Sequence, residues 1–433
     1  MSKKIKNVDK QGQKDEDSGK EDDMENKKLT KLEKYWIMYD VGNSAFVMLI
    51  ATIIPIYFNY LAKSAGISEV NYLAYWGYAA SVSTVIVAAI GPVLGSIADM
   101  QNYKKPLFTI SMMVGVIGCA AMSFPTSWVI FLAVFVIAKV GYNASLIFYD
   151  SMLVDITSTD RMDEVSSQGY AWGYIGSCIP FILSLVLVLM YEKIGITMHM
   201  AMTGAFFLNA VWWAVVTIPL LRNYRQKNYV AVPSHSVKNS FKRLGQTFMD
   251  VHKEKKIFWY LLAFFFFIDG VYTIIEMATA YGSALGLDST GLLLALLVTQ
   301  IVAFPCALIC AKLSGKYPTE RLIGVCIVAY IGIALFAIQL DKQWEFWTLA
   351  VLVGMFQGAI QALARSYFAK IIPAEKSGEY FGIYDICGKG ASFMGTTFVG
   401  IVAQVTGVAN AGVAVIAVLF VIGYILFKKA VRA

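Results

Sequence analysis

The chain has 433 residues, of which 58% are hydrophobic and 15% charged, and its mean hydropathy is +0.61. A soluble protein of this length needs a largely polar exterior, so this composition excludes an ordinary soluble domain and indicates a polytopic membrane protein. The formal charge of +7 is concentrated between the apolar stretches, which argues against nucleic acid as a partner. A lipid bilayer is the expected surrounding.

The N-terminal segment has the opposite character, because it is highly charged and contains no apolar run. It fits neither a signal peptide nor a membrane span, so residues 1–34 are predicted to be a disordered cytoplasmic tail. The 6 cysteines lie inside apolar segments without disulfide-like or metal-like spacing, and the 3 histidines lie at loops or helix ends. The sequence therefore predicts no metal, no cofactor, no catalytic residues and no enzymatic activity.

Apolar stretches bounded by charged or turn residues predict an all-α integral membrane protein with twelve transmembrane helices. The stretches cover residues 36–61, 72–98, 106–124, 127–153, 166–190, 200–221, 257–284, 291–311, 322–340, 346–371, 379–405 and 411–427. Each is long enough to cross a hydrocarbon core of about 30 Å. Two six-helix bundles are predicted, at 35–221 and 257–433, joined by a basic cytoplasmic linker at 222–256.

The lysines and arginines predict the orientation of these helices. The predicted outer loops hold only Lys63, Lys193 and Lys342, and nearly all the other basic residues, of 36 in the chain, lie in the tail, the inner loops and the linker. Since basic residues are enriched on the cytoplasmic side, both termini are expected in the cytoplasm. The expected location is the plasma membrane, or the vacuolar membrane in a eukaryote.

The stretch GPVLGSIADMQNYKKP, residues 91–106, joins the second and third predicted helices. It resembles the helix 2 to helix 3 signature of the major facilitator superfamily, with Asn102 and Tyr103 where that signature usually has glycine and arginine. Asp99, Lys104 and Lys105 are the gating or structural residues that this resemblance implies. The corresponding stretch AKLSGKYPTER in the second half has a glycine where the acid would be, so a latch is expected on one side only.

A closer resemblance covers most of the chain. Its motifs are YDVGNSAF (39–46), YNASL (142–146), SSQGYAWGYIG (166–176), DGVYTI (269–274) and QALARSYFAKIIPAEKSGEYFGIYDICGKG (361–390). In this order they resemble the autophagy-related vacuole-effluxer-like family of the major facilitator superfamily. The resemblance implies a twelve-helix secondary transporter. Eukaryotic members are associated with amino-acid efflux from the vacuole, but the family name alone does not fix the cargo.

Polar and ionisable residues inside spans are the candidates for the transport pathway, because a charged group inside the bilayer is costly and usually faces a cavity or a partner. By resemblance, helices 1, 4, 7 and 10 line the cavity. The residues predicted for the substrate or proton pathway are Asp40, Asn43, Lys139, Asn143, Asp150, Asp269, Tyr272, Glu276 and Gln361. Among them, Asp269, Tyr272 and Glu276 recur at helical spacing and share one face of helix 7.

Several of these residues also have a structural interpretation. Asp40 could bond to a neighbouring helix, and Lys139 could form a purely structural ion pair. Arg365 lies near the inner end of helix 10, which favours a gating ion pair or a phospholipid contact. Asp385 and Lys389 are spaced to neutralise each other on one helix, which favours a structural role.

The sequence thus predicts a secondary transporter that moves a small polar metabolite, such as an amino acid or a short peptide, by alternating access. Opposed charges at Lys139 and at Asp269 and Glu276 would suit a zwitterion, and proton coupling through Asp40, Asp269 or Glu276 is a hypothesis. The alternative is a lipid or lysolipid translocator of the same fold. A membrane receptor is the non-transport alternative, and a monomer is expected.

Overall fold

The structure, a computed structural model, describes residues 28–231, 246–247, 249–284, 289–407 and 409–433. Most of the predicted tail at 1–34 and part of the predicted linker at 222–256 lie outside the described residues. Within the described part, 12 helices are long and apolar enough to cross a membrane. This confirms the predicted all-α membrane fold.

The helices are numbered α1 to α12 in chain order. The first half consists of α1 (Lys31–Ala51, continued as Ile53–Ser64), α2 (Glu69–Ala98), α3 (Lys104–Ala121), α4 (Trp128–Ser151), α5 (Met162–Ile194) and α6 (Met198–Asn223). The second half consists of α7 (Lys255–Ala284), α8 (Ser289–Ser314), α9 (Thr319–Ile338), α10 (Gln343–Ile371), α11 (Ser377–Thr406) and α12 (Ala409–Arg432). The division into bundles at 35–221 and 257–433 stays a prediction.

Local sequence explains how α1 begins and where it breaks. Thr30 and Glu33 form a capping box, in which each side chain accepts a hydrogen bond from the other residue's backbone N–H, so the helix begins at Lys31. At Thr52 the backbone leaves the helical region, with φ −135° and ψ −69°. Pro55 explains this break, because its ring has no N–H to donate and crowds the carbonyl four residues earlier.

Successive helices cross the molecule in alternating directions, which brings their ends together at two faces. At one face the Asp99 carboxylate, after the end of α2, accepts a hydrogen bond from the Gly378 N–H at the start of α11. At the opposite face the Tyr57 hydroxyl, near the end of α1, lies 2.6 Å from His199 Nδ1 in α6. The face at which α1 begins and α12 ends is called the closed face below, and the opposite one the distal face.

The two halves touch most closely where α2 packs against α11. A Cβ atom on Gly95 would lie 2.1 Å from the Gly378 carbonyl oxygen, and one on Gly382 would lie 2.7 Å from Pro92 Cα. Larger residues would not fit at these distances, so glycine allows the two helix backbones to come into direct contact. The closed arrangement of the halves depends on this contact.

The close approach predicts the effect of adding a side chain. Gly95→Val should lower the stability of this arrangement by about 1–3 kcal/mol or more, because the new methyl groups overlap the α11 backbone. Gly332→Val in α9 is the matched control, since a Cβ there meets nothing within 4 Å. Thermal unfolding of detergent-purified protein measures the difference. Equal apparent melting temperatures for the two variants would contradict the packing argument.

Candidate functional site

Arg365 of α10 is the centre of a buried ion cluster that crosses from the second half into the first. Its side chain donates hydrogen bonds from Nη1 to Asp150 Oδ1 at 3.0 Å and from Nη2 to Asp40 Oδ2 at 3.2 Å. Its Nε donates to Ser166 Oγ at 3.0 Å. Only 2% of Arg365 is exposed. One guanidinium therefore ties α10 to α1, α4 and α5, and this set is called the arginine cluster.

Three aromatic rings of the first half surround the same guanidinium. Its carbon lies 4.6 Å from the ring centroid of Trp36, 5.4 Å from that of Tyr149 and 4.5 Å from that of Tyr170. Ring faces attract a cation and leave its N–H groups free for the carboxylates. Gly169 makes room, because a Cβ there would lie 2.4 Å from Asp40 Oδ2. Lysine could not make the same planar and bidentate contacts.

Asp163, in the first turn of α5, forms a second contact between the halves near the closed face. Its carboxylate accepts hydrogen bonds from Ser366 and Lys370 of α10 and from Thr319 at the start of α9. Sequence reasoning did not single out Asp163, because an acid in the first turn of a helix is commonly solvated. Its partners lie on other helices and leave no local signal.

Asp99 forms the third contact, at the predicted signature. Its carboxylate accepts hydrogen bonds from the N–H groups of Gly378 at 2.7 Å and Glu379 at 2.8 Å, at the positive N-terminal end of α11. Burial raises the pKa of the Asp99 carboxyl to about 7, while Lys104 and the two N–H donors act to lower it. Lys104 donates to Ser377 Oγ at 2.9 Å, so both residues join α11 to the first half.

Two neighbours complete this region. Asn102 has a left-handed backbone with φ 67°, which glycine adopts freely and asparagine tolerates, so the departure from the signature keeps its turn. Lys105 is half-buried and has no ion pair among the described residues.

Asp155, which sequence reasoning missed, accepts hydrogen bonds from the Tyr224 hydroxyl at 2.5 Å and the Asn228 N–H at 2.8 Å. It thereby holds the start of the predicted linker against the first half.

Charged residues from both halves also meet at the middle of the helix bundle. The charges of Glu276 in α7 and Lys389 in α11 act on Lys139 of α4. Glu276 is exposed, whereas Lys139 is half-buried. Lys389 pairs with Asp385 and donates to the Asn143 carbonyl oxygen at 3.4 Å. Lys139, Glu276 and Lys389 are called the central group.

Asp269 lies two turns before Glu276 on α7 and bonds to α11. Its Oδ1 accepts hydrogen bonds from the Gly395 N–H at 3.0 Å and from the Thr273 hydroxyl at 3.3 Å. Its Oδ2 is buried and has no hydrogen-bond partner among the described residues. Because an unpaired buried carboxylate is costly, a group in this position is chemically suited to hold a proton.

The remaining predicted residues are polar side chains at the helix contacts. Asn43 donates to the Tyr39 carbonyl at 3.0 Å, and Gln361 donates to the Tyr174 hydroxyl at 3.3 Å across the two halves. Tyr272 is half-buried, and the charge of Glu276 acts on it.

The structure thus separates residues that the sequence had grouped. Asp40 and Asp150 lie in the arginine cluster, whereas Lys139 and Glu276 belong to the central group and Asp269 bonds to α11. In the part of the chain that the structure describes, no group of three or more His, Cys, Asp or Glu side chains could hold a metal.

Comparison with known proteins identifies the family. A family model described as vacuole effluxer Atg22 like matches residues 30–160 and 154–432. The uncharacterized MFS-type transporter YxiO of Bacillus subtilis (strain 168) is 41% identical over 405 residues, which cover 92% of this chain and 95% of that relative. Autophagy-related protein 22 of Coccidioides immitis (strain RS) is 21% identical over 413 residues, which cover 77% of this chain and 68% of that relative.

Solved structures show the same fold. The major facilitator superfamily transporter FucP in the outward conformation aligns with a TM-score of 0.71 at 11% identity, over 92% of this chain and 97% of that chain. A bacterial homologue of the iron transporter ferroportin in the outward-facing state gives 0.68 at 13% identity, over 93% and 99%. At these identities the likeness concerns the fold alone. These findings confirm the resemblance drawn from the five motifs, and this chain belongs to the Atg22-like vacuole effluxer family as a multi-pass secondary transporter with the major facilitator fold, not an enzyme.

Proposed function

We propose that this chain transports a zwitterionic small metabolite, an amino acid or a short peptide, through the cleft between its halves by alternating access and proton symport. The observation that carries the proposal is the central group, in which the charge of Glu276 in one half acts on Lys139 in the other and Glu276 is exposed. Lys139 would bind the substrate carboxylate and Glu276 its ammonium group. A zwitterion satisfies both charges at once, which a neutral or singly charged solute cannot do.

The contacts at the closed face support the alternating-access part of the proposal. The arginine cluster, Asp163 and Asp99 join the halves there, while Glu276 lies nearer the distal end of its helix and is exposed. A transporter that is open only at the distal face needs its halves joined at the closed face, as these contacts join them. The arginine cluster would be the gate that has to separate before substrate leaves at the closed face. The enrichment of basic residues at this face supports a cytoplasmic location for it and for both termini.

The buried carboxyl of Asp269 supports the proton-coupling part of the proposal. The groups around it are Thr273 and Glu276 of its own helix and the backbone of Gly395 in α11. No cation among the described residues pairs with it. A proton therefore stabilises this carboxyl while it is buried, and the group can release the proton when water reaches it.

The substrate class can be tested by ligand-induced stabilisation. Zwitterionic amino acids or dipeptides should raise the apparent melting temperature, because a ligand that binds only the folded state stabilises it by mass action. Lys139→Ala and Glu276→Gln should each weaken binding by about 10-fold or more, the value of one charge-assisted hydrogen bond. Lys193→Ala, at an exposed residue near the distal end of α5, is the matched control. Stabilisation by lysolipids alone would instead favour the lipid translocator.

Proton coupling can be tested with a nearly isosteric variant. Asp269→Asn should abolish substrate uptake driven by a pH gradient in liposomes, because an amide cannot take up the transported proton. Substrate exchange without a gradient should persist, and the melting temperature should change little. Asp160→Asn, in the exposed loop before α5, is the control. Uptake that stays gradient-driven in Asp269→Asn would rule out this residue as the proton carrier.

The gate can be tested with a native thiol. Cys310 of α8 is buried at the closed face, with its sulfur 4.0 Å from the Ser167 hydroxyl of α5. Arg365→Ala leaves the buried Asp40 and the half-buried Asp150 without their cation, a loss of about 3–5 kcal/mol, and should open this face. In protein that retains Cys310 as its single cysteine, maleimide labelling should become at least about 10-fold faster.

Two controls accompany this measurement. Arg225→Ala removes an exposed arginine near the same face and should leave the labelling rate unchanged. A matching protein with Cys119 as its single cysteine should stay unreactive in both backgrounds, since this thiol is buried within the first half. Faster labelling of Cys119 would indicate unfolding, and an unchanged rate for Cys310 would contradict the gating role of Arg365.

A further inference from the structure

Two grooves flank the last turns of α12 at the closed face. The first, between α9 and α12, has a volume of 490 Å³, and the second, between α7 and α12, has a volume of 550 Å³. Apart from His252, which precedes α7, every residue that lines them belongs to the second half, so neither groove lies between the halves. The proposed transport pathway leaves both of them unexplained.

The charged side chains of the two grooves are predominantly cationic. Arg321 and Lys428 line the first groove together with the carboxylate of Glu320. The second is lined by His252, Lys255, Lys429 and Arg432. Taken together, the two grooves are lined by five lysine and arginine side chains and by one glutamate. The N-terminal ends of α9 and α7, at Thr319 and Lys255, add partial positive charge beside the grooves.

The first groove continues from its charged end along an apolar wall. Val325 and Val328 form this wall and are 56% and 50% exposed, while Val431 lies at the charged end and is 41% exposed. Lys428 Nζ lies 5.3 Å from the ring centroid of Tyr424, which holds its ammonium group at the boundary between the charged and the apolar part. On the other side of α12, Lys429 Nζ lies 3.5 Å from the Trp259 ring centroid. A free phosphate ion would make no use of the apolar wall.

We propose that these grooves bind an anionic glycerophospholipid, with its phosphate among the basic side chains and its acyl chains along the exposed valines. Basic pockets between membrane helices attract anionic headgroups in this way. The lipid would be a bound component that stabilises the second half at the closed face and not a transported substrate. The proposal does not depend on the proposed transport of a zwitterion.

Lipid binding to the full chain can be measured by native mass spectrometry from mild detergent. Dioleoylphosphatidylglycerol should remain bound at concentrations where dioleoylphosphatidylcholine does not. The double variant Arg321→Gln, Lys428→Gln should lower the affinity for phosphatidylglycerol at least 5-fold. The matched control is Lys312→Gln, Lys316→Gln, which removes two exposed charges near the same face outside the grooves and should bind as the wild type does.

Three outcomes would overturn the proposal. Equal retention of the two lipids would remove the role of the net negative charge of the headgroup. An equal loss in both double variants would reduce the effect to general surface charge. Inorganic phosphate that binds the grooves as tightly as the lipid would assign them to the free ion. The melting temperature of the double groove variant shows whether it is folded. If it is unfolded, the single variant Lys428→Gln repeats the binding measurement. Because no transport is measured, failure here leaves the proposed function unaffected.

Discussion

The closed arrangement depends on one guanidinium shared by two carboxylates. Removing an ionised arginine or aspartate from water is costly, and the mutual attraction compensates only when the geometry satisfies every group. Arg365 meets this condition, because its N–H groups reach Asp40, Asp150 and Ser166 while aromatic rings of the first half cover its faces. Since the arginine belongs to the second half and its partners to the first, the same groups become unsatisfied together when the halves separate. Water molecules must then take the place of the lost hydrogen-bond and charge partners.

The neighbouring contacts bring the halves close enough for this arginine to reach its partners. The backbone contact between Gly95 and Gly378 places α11 directly on α2, and Asp99 bonds to the free N–H groups at that point. On the other side of the cluster, Asp163 makes its contacts with side chains, through Ser366 and Lys370. The two contacts therefore differ in chemistry, because Asp99 bonds to backbone N–H groups and Asp163 to side chains.

Ionisable groups also form a line between the arginine cluster and the middle of the bundle. The charge of Asp385 acts on Asp150, and Asp385 pairs with Lys389, whose charge acts in turn on Lys139. A change of charge at Lys139 or Lys389 would therefore alter the field at Asp385 and Asp150, beside the arginine cluster. If Arg365 gates the closed face as proposed, this is a path by which binding would be coupled to opening.

The sequence by itself determined the number of spans and the family, because apolar length fixes a membrane span and the five motifs fix the family. It placed the first span at 36–61 and a tail at 1–34, whereas α1 begins at Lys31, after the capping box of Thr30 and Glu33. It also singled out Asp40, Asp150 and Arg365, which pair across the halves, because charges inside spans are rare. The sequence could not identify Asp155 or Asp163 as buried contact residues, since acids near helix ends are usually hydrated.

Only the tertiary structure decided which charged side chains form pairs. Asp40 and Arg365 are 325 residues apart, and their ion pair exists because α1, α5 and α10 approach closely at Gly169. The sequence grouped Asp40 and Asp150 with Asp269 as one pathway, whereas the structure places the first two against a cation and leaves one oxygen of the third without a partner. Pairing of buried charges depends on distances between helices, and those distances follow from non-local packing that no local pattern encodes.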